Sequence, residues 1–324
     1  MKKIITLVLA AMMLLSLAAC GTNGGDAASS DGAYTVGIVQ LVQHDALDKA
    51  TQGFQDALIK ELGEENVTFD LQNASGDSAN CATIVNGFVA DGVDLIMANA
   101  TPALLAAVNA TTTIPVLGTS VTDYGDAMGI EDFDGVVGGN VSGTSDQPPL
   151  DEQAAMVTEL CPDAKTVAIL YCSAEPNSVF QATAVRGYLE EAGLTVIDKT
   201  FADSNDVVSV TTSACEEADV IYIPTDNTAA SCADAIGKVV LEQKVPVIAG
   251  EEGIMAACGI ATLSIDYYNL GYATGVMAAK ILTGEADISE MAIEYDPNPV
   301  KKYNPEICEQ LGIEAPEGYV AYEG

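Results

Sequence analysis

Asp94-Leu-Ile-Met-Ala-Asn-Ala-Thr101-Pro-Ala has a counterpart later in the chain, Asp219-Val-Ile-Tyr-Ile-Pro-Thr-Asp226-Asn-Thr. In each, a short apolar run ends in polar residues, and a helical pattern follows. This order is typical of a strand that feeds a helix in a parallel sheet. A second matching pair follows, Ile114-Pro-Val-Leu-Gly-Thr119 and Val245-Pro-Val-Ile-Ala-Gly250. The repeat predicts two α/β lobes of the same kind.

Outward from these runs, short β-branched segments alternate with helical patterns through both halves of the chain. We therefore expect an α/β fold with two Rossmann-like lobes, each on a parallel sheet, joined by a multi-strand hinge. The expected strands are Thr35–Leu41, Val67–Gln72, Asp94–Ala98 and Ile114–Gly118, then Thr166–Tyr171, Thr195–Phe201, Asp219–Pro224 and Val245–Ala249.

Three segments are expected to connect the lobes. Gly135–Gly143 is rich in glycine but keeps alternating valines, which predicts an extended crossing strand with hinge freedom. A second crossing follows Ala261 and leads into a helix to Leu282, and a third lies around Asp296–Pro299. These positions assign residues 34–140 with 266–290 to the first lobe and residues 141–265 with 291–324 to the second.

The first residues, MKKIITLVLAAMMLLSLAAC, carry two lysines, an apolar run too short for a comfortable membrane span, and small residues before Cys20. This pattern predicts a secretory signal over residues 1–19. Its end resembles the bacterial lipobox, so Cys20 is the expected lipidation site. Residues 20–33 are small and polar, as in a flexible tether. We expect a protein anchored by lipid at the outer face of the cytoplasmic membrane.

The charge and cysteine content of the chain argue against several classes of binding partner. The 324 residues carry a formal net charge of −35, which repels nucleic acid and anionic lipid and suits an exported monomer. Seven cysteines follow Cys20 without any CxxC pair, so no metal site is expected. We interpret most of them as small core residues and leave open one or two disulfides.

Polar residues gather where the expected strands end. Ligands of open parallel sheets bind outside these carboxyl ends, so two such edges facing each other predict a cleft. Each residue taken alone is also explained as a helix cap. The candidate ligand-binding residues are Gln40, His44, Thr101, Ser120, Thr122 and Asp123 from the first lobe, Ser173, Glu175, Asn177, Thr225, Asp226, Asn227 and Glu251 from the second, and Asp266 and Tyr267 at a crossing.

Signals of catalysis are weak. No GxSxG, HExxH, P-loop or CxxC motif occurs, and the glycines of Gly138–Gly143 do not follow a strand-to-helix pattern. We therefore expect a protein that is not an enzyme, with no catalytic residues and no cofactor.

Several motifs together resemble a family of ABC-transporter substrate-binding lipoproteins of the type I periplasmic-binding fold. They are Val36-Gly-Ile-Val-Gln40-Leu-Val-Gln43-His44-Asp-Ala46-Leu47-Asp48, Ala100-Thr101-Pro102, Gly118-Thr-Ser-Val-Thr-Asp123, Gly143-Thr-Ser-Asp146, Pro224-Thr-Asp-Asn-Thr228 and Ile265-Asp-Tyr267. The resemblance implies a small-molecule ligand, an amino acid and among these an aromatic one such as tryptophan or phenylalanine, passed to a permease with its ATPase.

Within this interpretation, each group of polar residues receives a role. Asp226 and Glu251 are expected to pair with the ligand ammonium, while Thr101, Ser120 and Thr122 hold its carboxylate. Four further candidates are expected to shape the side-chain pocket: Gln40, His44, Ser173 and Asn177. Three alternatives stay open: a sensory lipoprotein that signals to a receptor, a sugar or nucleoside binder on the same fold, and an extracytoplasmic enzyme. A ring-binding site would usually stack aromatic residues, which are 6% of this chain.

Overall fold

The computed structural model describes residues 33–296 and 298–324. The predicted signal, tether and lipidated Cys20 lie outside these residues. Within them, no helix combines the length and apolar character that crossing a membrane would require.

The helices and strands alternate as the sequence predicts. The first part contains β1 (Tyr34–Gln40), α1 (Asp45–Leu62), β2 (Val67–Asn73), α2 (Ser78–Asp91), β3 (Leu95–Asn99), α3 (Thr101–Ala110), β4 (Val116–Val121), α4 (Tyr124–Met128) and β5 (Val141–Ser145). The second contains α5 (Leu150–Leu160), β6 (Thr166–Cys172), α6 (Pro176–Glu191), β7 (Thr195–Phe201), α7 (Val207–Glu217), β8 (Val220–Ile223), α8 (Asn227–Ser231), α9 (Ala233–Gln243), β9 (Val247–Ala249), α10 (Glu252–Cys258) and β10 (Ala261–Ser264). The last part contains α11 (Tyr267–Leu282), β11 (Glu294–Tyr295), β12 (Val300–Tyr303), α12 (Pro305–Leu311) and β13 (Val320–Ala321), and short 3₁₀ turns lie at Glu64–Asn66 and Ile288–Glu290.

Two sheets organise the molecule. The first has the order β11-β5-β4-β3-β1-β2 and is parallel throughout. The second has the order β13-β12-β10-β9-β8-β6-β7 and is parallel except where β12 pairs with β10. In both, the chain winds outward in two directions from an early strand, which is the arrangement that places ligands at the carboxyl edge. The predicted two-lobe α/β fold is confirmed.

The positions of the crossings differ from the sequence expectation. Val141–Ser145 is a strand of the first sheet, paired through Val141 with Val116 of β4, and all five of its residues are buried. Glu294–Tyr295 adds to the same sheet beside β5. The first lobe therefore extends past residue 140 and again past residue 290. Gly135–Gly143 does not cross between lobes; the connections run from β5 to α5, from β10 to α11 and from β11 to β12.

Helix α11 returns to the first lobe and packs closely on α1. Glycines make this approach possible: a Cβ on Gly271 would lie 1.9 Å from the Ala50 carbonyl oxygen, and one on Gly53 would lie 2.1 Å from that of Tyr268. Backbone atoms cannot move aside as a flexible side chain can. The pair of helices thus fixes where the second crossing enters the first lobe.

The cysteines behave as the sequence suggests for core residues. Cys81, Cys172, Cys258 and Cys308 are buried, and all seven cysteines of the described residues are free thiols. Burial raises the pKa of the Cys172 thiol to about 11, with a further contribution from Asp226. Such a thiol is protonated at neutral pH and a poor nucleophile.

Candidate functional site

The carboxyl ends of β3 and β4 carry two unusual backbone conformations. Ala100 has φ of 94° and Ser120 has φ of 54°, values that residues with a side chain seldom adopt. Ser120 lies in an irregular stretch where β4 shifts its register against β5. Bulges of this kind redirect a side chain, and strained backbone is concentrated at functional sites. A backbone hydrogen bond joins the ends of these two strands, since the Ala100 amide donates to the Thr119 carbonyl at 3.0 Å.

Five buried side-chain polar atoms of the described residues have no hydrogen-bond partner in the protein; Asn99 Oδ1 and Thr262 Oγ1 belong to strands β3 and β10, and three others belong to residues predicted to contact a ligand. These three are Thr101 Oγ1 and Ser120 Oγ in the first lobe and Asn177 Oδ1 in the second. Thr101 is the first residue of α3 and does not cap it, so its hydroxyl remains free. An unpaired buried polar atom costs about 1–3 kcal/mol. Three such atoms at neighbouring strand ends of both lobes are what a polar ligand would satisfy.

A polar network surrounds Asn177. Its Nδ2 donates to the Thr225 carbonyl at 3.0 Å, and the Thr225 amide donates to Gln181 Oε1 at 3.2 Å. Gln181 Nε2 also donates across the lobes to Thr122 Oγ1 at 3.2 Å. Every one of these side chains is buried. Because Asn177 Nδ2 is held by the Thr225 carbonyl, the orientation of the amide is fixed, and the atom left without a partner is the oxygen, which accepts hydrogen bonds.

Asp146 is a site residue that the sequence reasoning did not select. It follows β5 at the first crossing and is 3% exposed. Its carboxylate accepts hydrogen bonds from the hydroxyls of Thr122, at 3.2 Å, and Tyr267, at 2.9 Å. Burial raises its pKa to about 6. Two hydroxyls compensate a buried negative charge only in part, so an incoming cation would stabilise it.

Asp226 and Glu175 form a capping cluster within the second lobe. Asp226 caps α8 through the Ala229 amide at 2.7 Å, and its other oxygen accepts from the Cys172 amide at 2.6 Å. Glu175 accepts from the backbone amides and side chains of Asn227 and Thr228 at 2.6 to 3.1 Å. Burial and the neighbouring Glu175 raise the pKa of Asp226. Both carboxylates have backbone partners in their own lobe.

Glu251 is buried and caps α10, with its carboxylate accepting from the Gly253 amide at 2.7 Å and from the Ile254 amide. Burial raises its pKa, which the nearby His44 opposes. The geometry therefore gives Glu251, like Asp226, the contacts of a helix cap. Burial raises the pKa of all three carboxyls, and what distinguishes Asp146 is that its side-chain partners are hydroxyls, whereas Asp226 and Glu251 each accept from two backbone amides.

Four other predicted site residues make hydrogen bonds near their own positions in the chain or within their own lobe. Gln40 donates to Asp48 at 2.7 Å and to the Val42 carbonyl at 2.9 Å inside the first lobe. Asp123 caps α4, and the exposed Asp266 caps α11. Ser173 is exposed and donates to the Phe201 carbonyl. We interpret these four as structural.

His44 and Asn227 meet across the lobes. His44 precedes α1 and is half-buried, and its Nε2 lies 3.2 Å from Asn227 Oδ1 at the start of α8. The contact joins a strand end of one lobe to a strand end of the other. It places His44 at the mouth of the cleft.

A cavity of about 430 Å³ opens between the two lobes beside Thr101. Its apolar surface includes Leu41, Val42 and Pro102 on one side and Ala174 on the other. No aromatic residue lines it. Polar residues line much of the rest, among them Asp77, Glu175 and Asn205, so the cavity is of mixed polarity.

The sequence analysis did not select Asp146 and Gln181 as site residues. Asp146 directly follows β5, which the sequence places in the second lobe and the structure in the first, and Gln181 lies more than a helical turn inside α6. The short motif Ser145-Asp146-Gln147-Pro148-Pro149, an acid between a strand pattern and a helix start, was the available signal for Asp146. No local signal marks Gln181.

Comparison with known sequences gives one family. A sequence model described as ABC transporter substrate binding protein matches residues 35–323. A tyrosine-binding protein of Clostridioides difficile is 38% identical over 296 residues, which are 88% of this chain and 85% of that protein.

Solved structures give the same answer. The ABC domain of Streptococcus pneumoniae in complex with L-Trp is 32% identical, with a TM-score of 0.85, and the match covers 90% of this chain and 99% of that one. A ligand-free, open substrate-binding protein with adhesive properties from Clostridium difficile is 38% identical with a TM-score of 0.67, covering 89% and 99%. Of these two structures, the one with the lower sequence identity has the higher TM-score. In the structure described here the lobes are in direct contact, as the hydrogen bond from Gln181 to Thr122 shows.

Proposed function

Because this chain belongs to the family of ABC transporter substrate-binding proteins, we propose that it captures an aromatic α-amino acid between its lobes and delivers it to an ABC permease. Substrate-binding proteins of ABC transporters act outside the cytoplasm, and the predicted lipid anchor at Cys20 would hold this one at the membrane. The tyrosine-binding relative and the L-Trp complex support the ligand class.

One observation carries the proposal: the unpaired atoms suit the two ends of a zwitterion. Hydroxyls of Thr101 and Ser120 can donate to a carboxylate, beside the positive N-terminus of α3. Asn177 Oδ1 can only accept, and the Asp146 carboxylate lacks a cation. Both suit an ammonium group. We therefore assign the ammonium to Asp146 and Asn177, in place of Asp226 and Glu251.

The residues that line the cavity include no aromatic side chain on which a sugar ring could stack. Sugar rings are usually bound by stacking on aromatic side chains. Leu41, Val42 and Pro102 supply apolar surface that a ligand side chain can contact, in a lining that also carries many polar residues.

Calorimetry with matched ligands tests the proposal. L-Tyrosine should bind, whereas tyramine, which lacks the carboxylate, and 3-(4-hydroxyphenyl)propionate, which lacks the ammonium, should bind at least tenfold more weakly. Thr101→Val should weaken L-tyrosine binding but not the residual binding of tyramine. Thr211→Val is the matched control, because Thr211 is also buried but bonds within α7. Binding of myo-inositol or glucose, with none of L-tyrosine, L-tryptophan or L-phenylalanine, would refute the ligand class.

A further inference from the structure

Asn227 is held in a fixed orientation by a buried carboxylate. Glu175, 4% exposed, accepts from Asn227 Nδ2 at 2.6 Å and from the Asn227 backbone amide at 3.1 Å. A carboxylate accepts hydrogen bonds and the amide nitrogen donates them, so the side-chain amide cannot be flipped. Its oxygen, Oδ1, must therefore point away from Glu175.

That oxygen meets His44 of the other lobe at 3.2 Å. An amide oxygen is only an acceptor, so His44 Nε2 must carry the hydrogen. Both the neutral Nε2–H tautomer and the imidazolium meet this requirement. Glu175 thus orients Asn227 within the second lobe, whether or not the lobes are closed. The hydrogen bond between His44 and Asn227 forms only when the lobes are together.

We propose that Glu175, Asn227 and His44 form an interlobe latch that slows opening of the closed protein and hence release of its ligand. This proposal rests on the function proposed above and assigns His44 as a positioning residue that acts through lobe closure. The atoms of His44 and Asn227 that meet each other are already paired, unlike Thr101 Oγ1 and Ser120 Oγ. The latch therefore needs no contact with the ligand.

Other side-chain contacts between the lobes differ from the latch. Gln181 donates to Thr122 deep in the cleft, within the network around the proposed ammonium site. Lys49 lies 3.8 Å from Glu252, but the lysine side chain is 44% exposed, and exposed pairs contribute little. The His44–Asn227 bond is the half-buried one at the mouth, where it can resist opening without altering the polar site.

Stopped-flow kinetics with L-tyrosine tests the latch. His44→Ala and Asn227→Ala should each raise the dissociation rate constant about three- to tenfold, the range of one lost hydrogen bond, and change the association rate constant less than twofold. The double variant should dissociate no faster than the faster single variant, because both remove the same bond. His44→Gln keeps a donor at the corresponding position and should restore slow dissociation. Gln43→Ala, an exposed neighbour, is the control.

Unchanged dissociation in His44→Ala, or multiplicative effects in the double variant, would overturn the proposal. Small-angle scattering of the ligand-free proteins separates this outcome from failure of the proposed function. If no amino acid binds, a larger radius of gyration for His44→Ala than for the wild type still supports the latch, and identical scattering curves overturn it.

Discussion

Replacing Asp146 by asparagine should strengthen the fold and weaken the binding of the ligand at the same time. Burial raises the pKa of this carboxyl to about 6 from an ordinary 3.8, which corresponds to about 3 kcal/mol of unfavourable charge burial at neutral pH. Its partners, Thr122 and Tyr267, are hydroxyls that can turn to donate or accept. Asparagine therefore fits the same place without the charge.

The sign of the stability effect follows from linkage. A carboxyl whose pKa is raised by folding binds protons more readily in the folded state, so the folded protein loses stability as pH rises from about 4 to 6. The Asp146→Asn variant avoids this loss. At pH 7.5 without ligand we expect it to be about 1–3 kcal/mol more stable, which for a chain of this size is a rise of about 2–6 °C in melting temperature.

The effect on binding has the opposite direction. If a ligand ammonium restores the ordinary pKa of Asp146, the same 3 kcal/mol appears in the wild-type binding free energy, about 150-fold in affinity. The amide of asparagine can still accept one hydrogen bond, so the expected loss is at least tenfold. Titration calorimetry with L-tyrosine measures the affinity, and calorimetric melting of the ligand-free protein measures the stability.

Asp219→Asn is the matched control. Asp219 precedes β8 at the opposite edge of the second sheet, where it accepts from the amides of Lys165 and Thr166 at 2.9 Å each, and these bonds lower its pKa. The same substitution there should lower the melting temperature and leave affinity unchanged. A lower melting temperature together with wild-type affinity in Asp146→Asn would refute the reasoning and make Asp146 a purely structural hinge residue.

Four further outcomes are expected. Wild-type affinity for L-tyrosine should fall about tenfold from pH 7 to pH 5 as Asp146 is protonated, and calorimetry across this range should find a smaller dependence in Asp146→Asn. Asp226→Asn should keep affinity within about threefold, because backbone amides occupy both carboxylate oxygens; a tenfold loss by calorimetry would return the ammonium to Asp226. Gly271→Ala should lower the melting temperature by several degrees through its clash with α1, whereas Gly87→Ala, with open space around it, should keep or raise it. Cys20→Ala should release the protein from the membrane fraction, and immunoblotting that finds it still bound there would contradict the lipid anchor.

The sequence determined the architecture through local pattern. Apolar strands followed by helical patterns, repeated in Asp94–Ala103 and Asp219–Thr228, were sufficient for two parallel α/β lobes, since burial on both faces of a sheet requires such runs. Pro148 and Pro149 directly precede α5, Leu150–Leu160, and are a local signal for its start. The motifs that resemble the substrate-binding family were likewise local, and the family is confirmed.

Only the tertiary structure decided which polar side chains after the strands are available to a ligand and which cap helices. Asp226 and Asp146 are both acids after a strand, and their sequences do not show that backbone amides satisfy the first while only hydroxyls meet the second. The places of β5 and β11 in the first sheet were also hidden, because a strand of two or five residues is specified by the neighbour it pairs with. The His44–Asn227 contact joins residues far apart in the chain. Local pattern specifies how a segment folds, but charge compensation and interlobe contact depend on which segments the completed fold brings together.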